Sequence, residues 1–404
     1  MYPFNRRTRK RLIPVLGNSL YTLITPVLSV FISLLIVRFE SVELWGGFVA
    51  VLIVMNLVNH ILYWGNKEFV LRDISNHPQS ISEIWQENIQ SRMILFGIAV
   101  FLLFFIPVHV IQKWVIVFWM AGAMICQSFE ALIVYKRKFV PAFAAEASVT
   151  LLLAGGIMLF SDRLTLNLIC VLFMGSIILK GMILIFIFAK DIFERFSLRF
   201  RIRIFTAAFP FFALGLTGML QSKMDLYCVT WFLPEKDAGA YQIFINLLIY
   251  IQIVANVIIQ PFIKNIYRMG NAVLNKLSLQ LVLAGTGITL AGIPVIFAVI
   301  HWIYQVEIPI MALFWGGIYA IPVYYYITRI YLLFKTGRQN QVVYVNIGGI
   351  ISNLTLNLIF IPLFGITGAI AAAAMTQWLM LISYLLIEKW QLLKHEMVLR
   401  EVRL

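Results

Sequence analysis

Twelve apolar stretches, each about 20 residues long, follow one another along this 404-residue chain with mostly short loops between them. A helix of about 20 apolar residues can cross the ~30 Å hydrocarbon core of a bilayer. A chain that is 61% hydrophobic and 12% charged is also too apolar to be soluble at this length. The sequence therefore predicts an all-α, polytopic membrane protein. The predicted spans are residues 12–37, 44–64, 92–110, 114–135, 141–160, 165–189, 206–231, 239–263, 277–302, 308–333, 342–361 and 367–388.

Basic residues are concentrated in every second loop. The N-terminal segment, the alternate loops and the C-terminal tail hold 25 Lys and Arg, and the intervening loops hold four, Arg38, Lys113, Arg163 and Lys236. Loops rich in Lys and Arg stay in the cytoplasm, so we expect both termini there. The net charge of +14 then reflects membrane topology and anionic head groups, not nucleic-acid binding.

The longest basic connection divides the spans into six and six. It predicts an N-terminal six-helix bundle (1–189), a basic cytoplasmic linker (190–205) and a C-terminal six-helix bundle (206–404). Acidic loops that end in Gly and an aromatic residue occur at matching places, 40–48 and 235–241. Parallel repeats of this kind are common in transporters whose site lies near the bilayer midplane. We therefore expect two bundles around a central cavity.

Polar side chains recur on one face of several spans, whereas surfaces that face lipid should be apolar. The candidates for substrate binding on these faces are Asn18, Thr22, Thr25, Gln242, Asn246, Asn353 and Asn357. One interpretation is that they line a water-filled cavity and bind substrate. The alternative is that they only hydrogen-bond neighbouring helices.

Charged residues inside predicted spans are costly and often functional. Lys180, Lys223 and Arg329 are candidates to bind an anionic substrate, although Lys180 and Arg329 could also snorkel to an interface. Asp225 lies on the polar face of span seven, where it could bind a coupling ion or pair with a basic residue of another helix.

Two further carboxylates, Glu130 and Glu146, lie at shallow depth near the basic residues 136–138. We expect them to form structural ion pairs there.

Several catalytic motifs do not occur in the sequence. There is no Walker A loop, H-E-x-x-H or G-x-S-x-G, and the three cysteines have no metal-ligand spacing. We therefore expect no ATP hydrolysis, no metal and no cofactor.

The predicted extracytoplasmic loops are too short for a catalytic domain, which argues against a glycan polymerase or ligase. The longest predicted loop, 65–91, is cytoplasmic and lacks the major-facilitator signature.

Three segments carry a resemblance to a known family. They are Gly65 to Ser75 after span two, Phe209-Pro210 with the later Gln221-Ser-Lys-Met-Asp225 in span seven, and the run from Asn353 through Ile361-Pro362 and Gly365 to Ala371. Together they resemble the Wzx-type polysaccharide-transporter flippases of the multidrug/oligosaccharidyl-lipid/polysaccharide superfamily.

The resemblance implies a transporter, not an enzyme, that works by alternating access in a bacterial inner membrane. It implies an undecaprenyl-pyrophosphate-linked oligosaccharide as substrate, H+ or Na+ as coupling ion and a polymerase of the same pathway as a partner. Membrane lipids would surround it, and nucleic acid would have no role. The alternatives are an ion-coupled multidrug exporter of the same superfamily and, from another class, a membrane polysaccharide polymerase or ligase.

Overall fold

The computed structural model describes residues 27–105, 109–194, 200–259, 266 and 270–401. Within these residues the chain forms helices and no β-strand. In chain order the helices are α1 (Val27–Phe39), α2 (Val42–Tyr63), α3 (Asn66–Asn76), α4 (Ile81–Phe104), α5 (Val110–Ser128), α6 (Glu130–Lys136), α7 (Phe139–Leu159), α8 (Leu166–Ile192), α9 (Arg203–Phe232), α10 (Glu235–Ile259), α11 (Asn271–Ala298) with a π-helical end (Val299–Tyr304), α12 (Ile310–Ala320), α13 (Pro322–Lys335) and α14 (Gln339–Glu401).

Ten helical segments of the described chain are long and apolar enough to cross a membrane. Nine of them overlap predicted spans two to ten, and α14 covers spans eleven and twelve. The shorter apolar helix α1 is the described part of span one. The prediction of an all-α, polytopic membrane protein is therefore confirmed.

Two helices begin at residues whose side chains bond the first backbone amides. The Ser41 hydroxyl accepts a hydrogen bond from the Leu44 amide (3.1 Å) at the start of α2. Thr165 does the same for Leu168 (3.3 Å) at the start of α8. The first amides of a helix have no partner within the helix, so these hydroxyls fix where α2 and α8 begin.

The prediction of a loop at residues 65–91 is wrong, because most of this segment is helical. It contains α3 and the first part of α4, and it buries Phe69, Ile74 and Trp85. The polar residues between these apolar positions lower the hydropathy and hide the helices from a search for apolar runs. The chain turns from α2 into α3 at Trp64 and Gly65, both with positive φ. A Cβ on Gly65 would stand 2.8 Å from the Phe211 Cβ, so the turn also needs the small residue.

The chain divides into two compact units, Met1–Leu216 and Thr217–Leu404, and their boundary falls within α9. In the first unit, α5 packs along α8, and buried aromatic and aliphatic side chains of α3, α6 and α8 form a core around Phe129 and Phe188. In the second unit, α12 and α13 pack on α14, where the alanines from Ala369 to Ala374 are buried. Small residues let membrane helices approach closely, which fits the close packing of this part of α14.

The helix α14 is bent between its two predicted spans. Gly365 has a φ of 56° and a ψ of −132°, a conformation that residues with a Cβ rarely adopt. Pro362 has no backbone N–H and cannot continue the helical bonding, so the bend falls at this point. A Cβ on Gly368 would overlap the carbonyl oxygen of Phe360.

We expect Gly368→Ala to destabilise the protein by about 1–3 kcal/mol, because the methyl group has to displace backbone. Gly348→Ala, in the same helix but with open space at the Cβ, is the matched control and should have a small effect. The thermal midpoint of each purified variant measures the difference. Equal midpoints for the two variants would contradict the tight bend.

Candidate functional site

A buried arginine organises the polar interior of the first unit. Arg92 is only 1% exposed, and its guanidinium makes three hydrogen bonds. It donates to Asn88 Oδ1 (3.0 Å), to the Leu62 carbonyl (3.3 Å) and to the Ser128 hydroxyl. These bonds join α4 to the last turns of α2 and α5, just where both helices are interrupted.

Sequence reasoning missed this role for Arg92 because it counted the residue, at the start of predicted span three, among the basic residues of the connection before it. One signal was present: Asn88 and Arg92 are four residues apart, which places them on one face of a helix. The partners Leu62 and Ser128 are 30 and 36 residues away, so only the folded chain shows that they converge.

Lys180 forms a salt bridge with Glu146. Lys180 lies near the middle of α8, and its ammonium contacts the Glu146 carboxylate of α7. Glu146 therefore forms an ion pair, as expected, but with Lys180 and not with the basic residues 136–138. Lys136 and Lys138 instead bind Asp191, at 2.8 and 3.3 Å. Glu146 is near these basic residues in the sequence but does not pair with them, because the basic residues at the end of α6 face the end of α8.

Glu130 lies within electrostatic reach of Lys180, Lys67 and Arg92. It begins α6, directly after the interruption at Phe129. No salt bridge to Glu130 is found among the described residues, so its expected structural pairing with residues 136–138 is not observed there. Glu130, Glu146 and Lys180 thus form a charged group inside the spans of the first unit.

Asp225 lies in the polar interior of the second unit. It is 3% exposed and accepts a hydrogen bond from the hydroxyl of Tyr241 in α10. Tyr319 of α12 lies within electrostatic reach, and its carbonyl accepts from Gln252 (3.1 Å). Next to this group, Tyr326 donates to Gln377 Oε1 at 2.6 Å. Side chains of five helices, α9, α10, α12, α13 and α14, meet in this network.

Lys223 lies two residues before Asp225 and is partly buried. The two residues interact electrostatically, but no salt bridge or hydrogen bond to Lys223 is found in the part of the chain that the structure describes. On a helix, positions i and i+2 lie on different faces. Lys223 is therefore an embedded basic residue with Asp225 within electrostatic reach but with no salt bridge among the described residues.

Arg329 is a buried member of a salt bridge. It is 3% exposed and donates to Glu388 Oε1 (3.0 Å) and to the Tyr325 hydroxyl (2.9 Å). Its guanidinium also lies 5.0 Å from the centre of the Tyr325 ring. This environment leaves Arg329 enclosed between α13 and α14, with little surface for a ligand.

The amide candidates have different environments. Asn357 donates to the backbone carbonyl of Asn353 (2.8 Å) and to its side chain, and both residues are buried. Gln242 is buried, and Asn246 is partly exposed. The three polar candidates of span one, Asn18, Thr22 and Thr25, lie outside the described residues.

Comparison with known proteins gives matches among solved structures alone. No protein-family model and no curated protein matches the sequence. The lipid II flippase MurJ, in an inward closed conformation, aligns with a TM-score of 0.70 at 16% identity, over 93% of this chain and 87% of that chain.

Multidrug transporters also share the fold. An inward-facing MATE-family transporter of the MOP superfamily aligns with a TM-score of 0.62 at 11% identity, over 94% of this chain and 98% of that one. The MATE transporter DinF-BH in complex with R6G aligns with a TM-score of 0.54 at 13% identity, over 94% of both chains. At identities of 11–16% the likeness shows the fold alone, and the shared fold extends over 93–94% of this chain.

We expect Arg92→Lys to destabilise the protein by about 1–3 kcal/mol, because an ammonium cannot replace the planar three-way contact of the guanidinium. Arg72→Lys is the control, since Arg72 is exposed and only stacks on Phe69 and Phe211. Unfolding of both purified variants by a denaturing detergent measures the loss. A similar loss of stability in both variants would argue against the role of Arg92 in joining α4 to α2 and α5.

Proposed function

We propose that this protein is a flippase that moves undecaprenyl-pyrophosphate-linked oligosaccharide repeat units from the cytoplasmic to the periplasmic leaflet. It would work by alternating access in a bacterial inner membrane, with both termini in the cytoplasm, and would serve surface polysaccharide synthesis of the O-antigen type. Two findings support the proposal: the motif resemblance to Wzx-type flippases and the fold shared with a lipid II flippase over 93% of the chain.

The proposed substrate class follows from the environment of Lys223. A pyrophosphate is strongly anionic, and in a medium of low dielectric it requires a cation. Lys223 is an ammonium within a membrane-spanning helix, with no salt bridge among the described residues. A lysine held this way is available to a phosphate group. Lys180 and Arg329 would assist only when their carboxylate partners release them.

The sugars would be bound by the amide groups. Gln242, Asn246, Asn353 and Asn357, with Asn18, Thr22 and Thr25, offer donors and acceptors of the kind that hydroxyl groups need. Asn357 Oδ1 is buried without a hydrogen-bond partner among the described residues, so it can accept one more bond. The polyprenyl tail can stay in the lipid, because only the head group has to cross.

Asp225 is the proposed site of the coupling ion, H+ or Na+. The chain has no ATP-binding motif, so transport needs another energy source. Buried carboxylates in membrane helices often bind the ion that drives transport. The Tyr241 hydroxyl donates to the Asp225 carboxylate and holds it in place within the second unit.

A multidrug exporter is the second candidate, because two MATE transporters share the fold. A cationic drug needs an accessible carboxylate. Asp225 is 3% exposed and hydrogen-bonded to Tyr241, and Glu146 and Glu388 are bound to Lys180 and Arg329. Glu130 has no salt bridge among the described residues, but three basic residues, Lys67, Lys180 and Arg92, lie within its electrostatic reach. This surplus of basic partners favours the flippase.

The proposal is tested by deleting the gene in its native host and locating the single repeat unit. A flippase deletion should leave the unit on its carrier lipid in the cytoplasmic leaflet. If single units still reach the surface but no long chains form, the protein is a polymerase or ligase. If glycan is normal and the cells become drug-sensitive, the multidrug exporter is correct.

Complementation of this deletion tests Lys223. We expect Lys223→Ala to restore less than a tenth of the surface polysaccharide, because the pyrophosphate loses its cation. Lys236→Ala, at an exposed position in the first turn of α10, should restore it fully. Normal polysaccharide with Lys223→Ala, at equal protein levels, would remove this residue from the binding site.

We expect Asp225→Asn to insert and fold, since an amide oxygen can still accept from Tyr241, but to lose the response to an ion gradient. Flipping into vesicles with an imposed H+ or Na+ gradient measures this response. Asp162→Asn, at an exposed position, is the control and should keep the gradient dependence. An unchanged response in Asp225→Asn would place ion coupling elsewhere.

A further inference from the structure

We propose that the first unit binds a monovalent metal cation, such as Na+ or K+, where helices α2 and α5 are interrupted. The amide oxygens of Asn59, Asn66 and Gln127 would bind the ion, and the carboxylate of Glu130 would offset its charge. Asp225, the proposed coupling site, belongs to the second unit, so this is a separate site. The inference does not depend on the flippase function.

Three amide oxygens in this region are buried without a hydrogen-bond partner among the described residues. They are Asn59 Oδ1, Asn66 Oδ1 and Gln127 Oε1. A buried amide oxygen without a partner has lost its hydration without compensation, and few such groups occur in folded proteins. Three of them in one region therefore point to a ligand.

The three residues belong to one hydrogen-bonded group. The Asn66 side-chain nitrogen donates to the backbone carbonyl of Gln127 (2.9 Å), and the Gln127 side-chain nitrogen donates to the backbone carbonyl of Asn59 (3.3 Å). Because both nitrogens are directed at carbonyl groups, the other atom of each side-chain amide is the oxygen. The ends of α2 and α5 and the start of α3 thus bring their amide oxygens into the same region.

The chemistry of this region favours a metal cation. Hard cations prefer oxygen ligands, and side-chain amides are among those ligands. Helices α2 and α5 both end here, at Tyr63 and Ser128, and the C-terminal end of a helix carries a partial negative charge. Transporters use the ends of interrupted helices to bind ions in this way. One water molecule has only two protons for three oxygens, whereas a metal ion attracts all three.

The surrounding charges favour a monovalent ion. The charged residues within electrostatic reach of Glu130 are Lys67, Glu68, Arg92 and Lys180. Lys180 is bound to Glu146, and the two carboxylates Glu68 and Glu130 offset Lys67 and Arg92. A divalent ion is usually bound by several carboxylates that no basic residue neutralises, and this region does not provide them.

The thermal midpoint of the purified full-length protein tests the proposal. It is measured in detergent at equal ionic strength in NaCl, KCl and choline chloride, where choline is too large for such a site. A ligand that binds only the folded state stabilises it, so we expect the midpoint to be at least about 3 °C higher in NaCl or KCl than in choline chloride. The same measurement in Asp225→Asn, where the proposed coupling site is altered, should give a similar shift.

Three variants make the result specific to this region. Asn59→Leu removes an amide oxygen but keeps the bond from Gln127, which goes to the backbone carbonyl. We expect it to lose the response to the metal ion and, in choline chloride, to be at least as stable as the wild type, because the unpartnered oxygen is gone. Asn56→Leu, at an exposed position of the same helix, is the control and should keep the response. Glu130→Gln should need at least about tenfold more salt for half of the shift, because the ion loses its counter-charge.

Equal midpoints of the wild type in the three salts would overturn the proposal and leave water as the partner of the three oxygens. A shift that is lost in Asp225→Asn would place the ion in the second unit and would also overturn it. So would an unchanged response in folded Asn59→Leu, or in Glu130→Gln if Asn59→Leu does not fold. These outcomes are independent of the gene deletion, which measures transport in the cell.

Discussion

The hydrocarbon core of a bilayer offers no water to polar groups, and the interior of this protein is arranged around that constraint. Where helices α2 and α5 are interrupted, Arg92 bonds the Leu62 carbonyl and the Ser128 hydroxyl, and the Trp85 indole bonds the Ser128 carbonyl. Embedded charges are compensated in the same way, by the Lys180–Glu146 and Arg329–Glu388 salt bridges. The helix interruptions and paired charges are thus compensated by groups that other helices supply.

These partners change how an embedded lysine or arginine should be interpreted. Lys180, Lys223 and Arg329 look alike in the sequence, as single basic residues in apolar runs. In the structure Arg329 is sealed against Glu388, Lys180 shares a partly exposed pair with Glu146, and Lys223 has no salt bridge among the described residues. The three therefore differ in how far a described partner compensates their charge, and this difference underlies the substrate proposal.

The fold alone does not identify the substrate, since a lipid II flippase and two MATE transporters share it with this chain. One fold can carry many functions, and the function must be argued from the site. Among the described carboxylates in the spans, Asp225, Glu146 and Glu388 are bound to a tyrosine, a lysine and an arginine, whereas no salt bridge to Lys223 is found there. This difference is the ground on which we propose an anionic head group rather than a cationic drug.

The sequence by itself determined the all-α, polytopic class and the approximate place of the spans, because hydropathy depends only on local composition and the length of each apolar run. The sequence did not predict the helices within residues 65–91, because α3 and the start of α4 are too polar to be detected as apolar runs. It identified Asp225 and Lys180 as unusual, because a charge in an apolar run is visible without a structure. Their partners Tyr241 and Glu146, and the three contacts of Arg92, were decided only by the tertiary structure. The physical reason is that a salt bridge or hydrogen bond acts over a few ångströms between helices, and the sequence does not specify which faces of those helices meet.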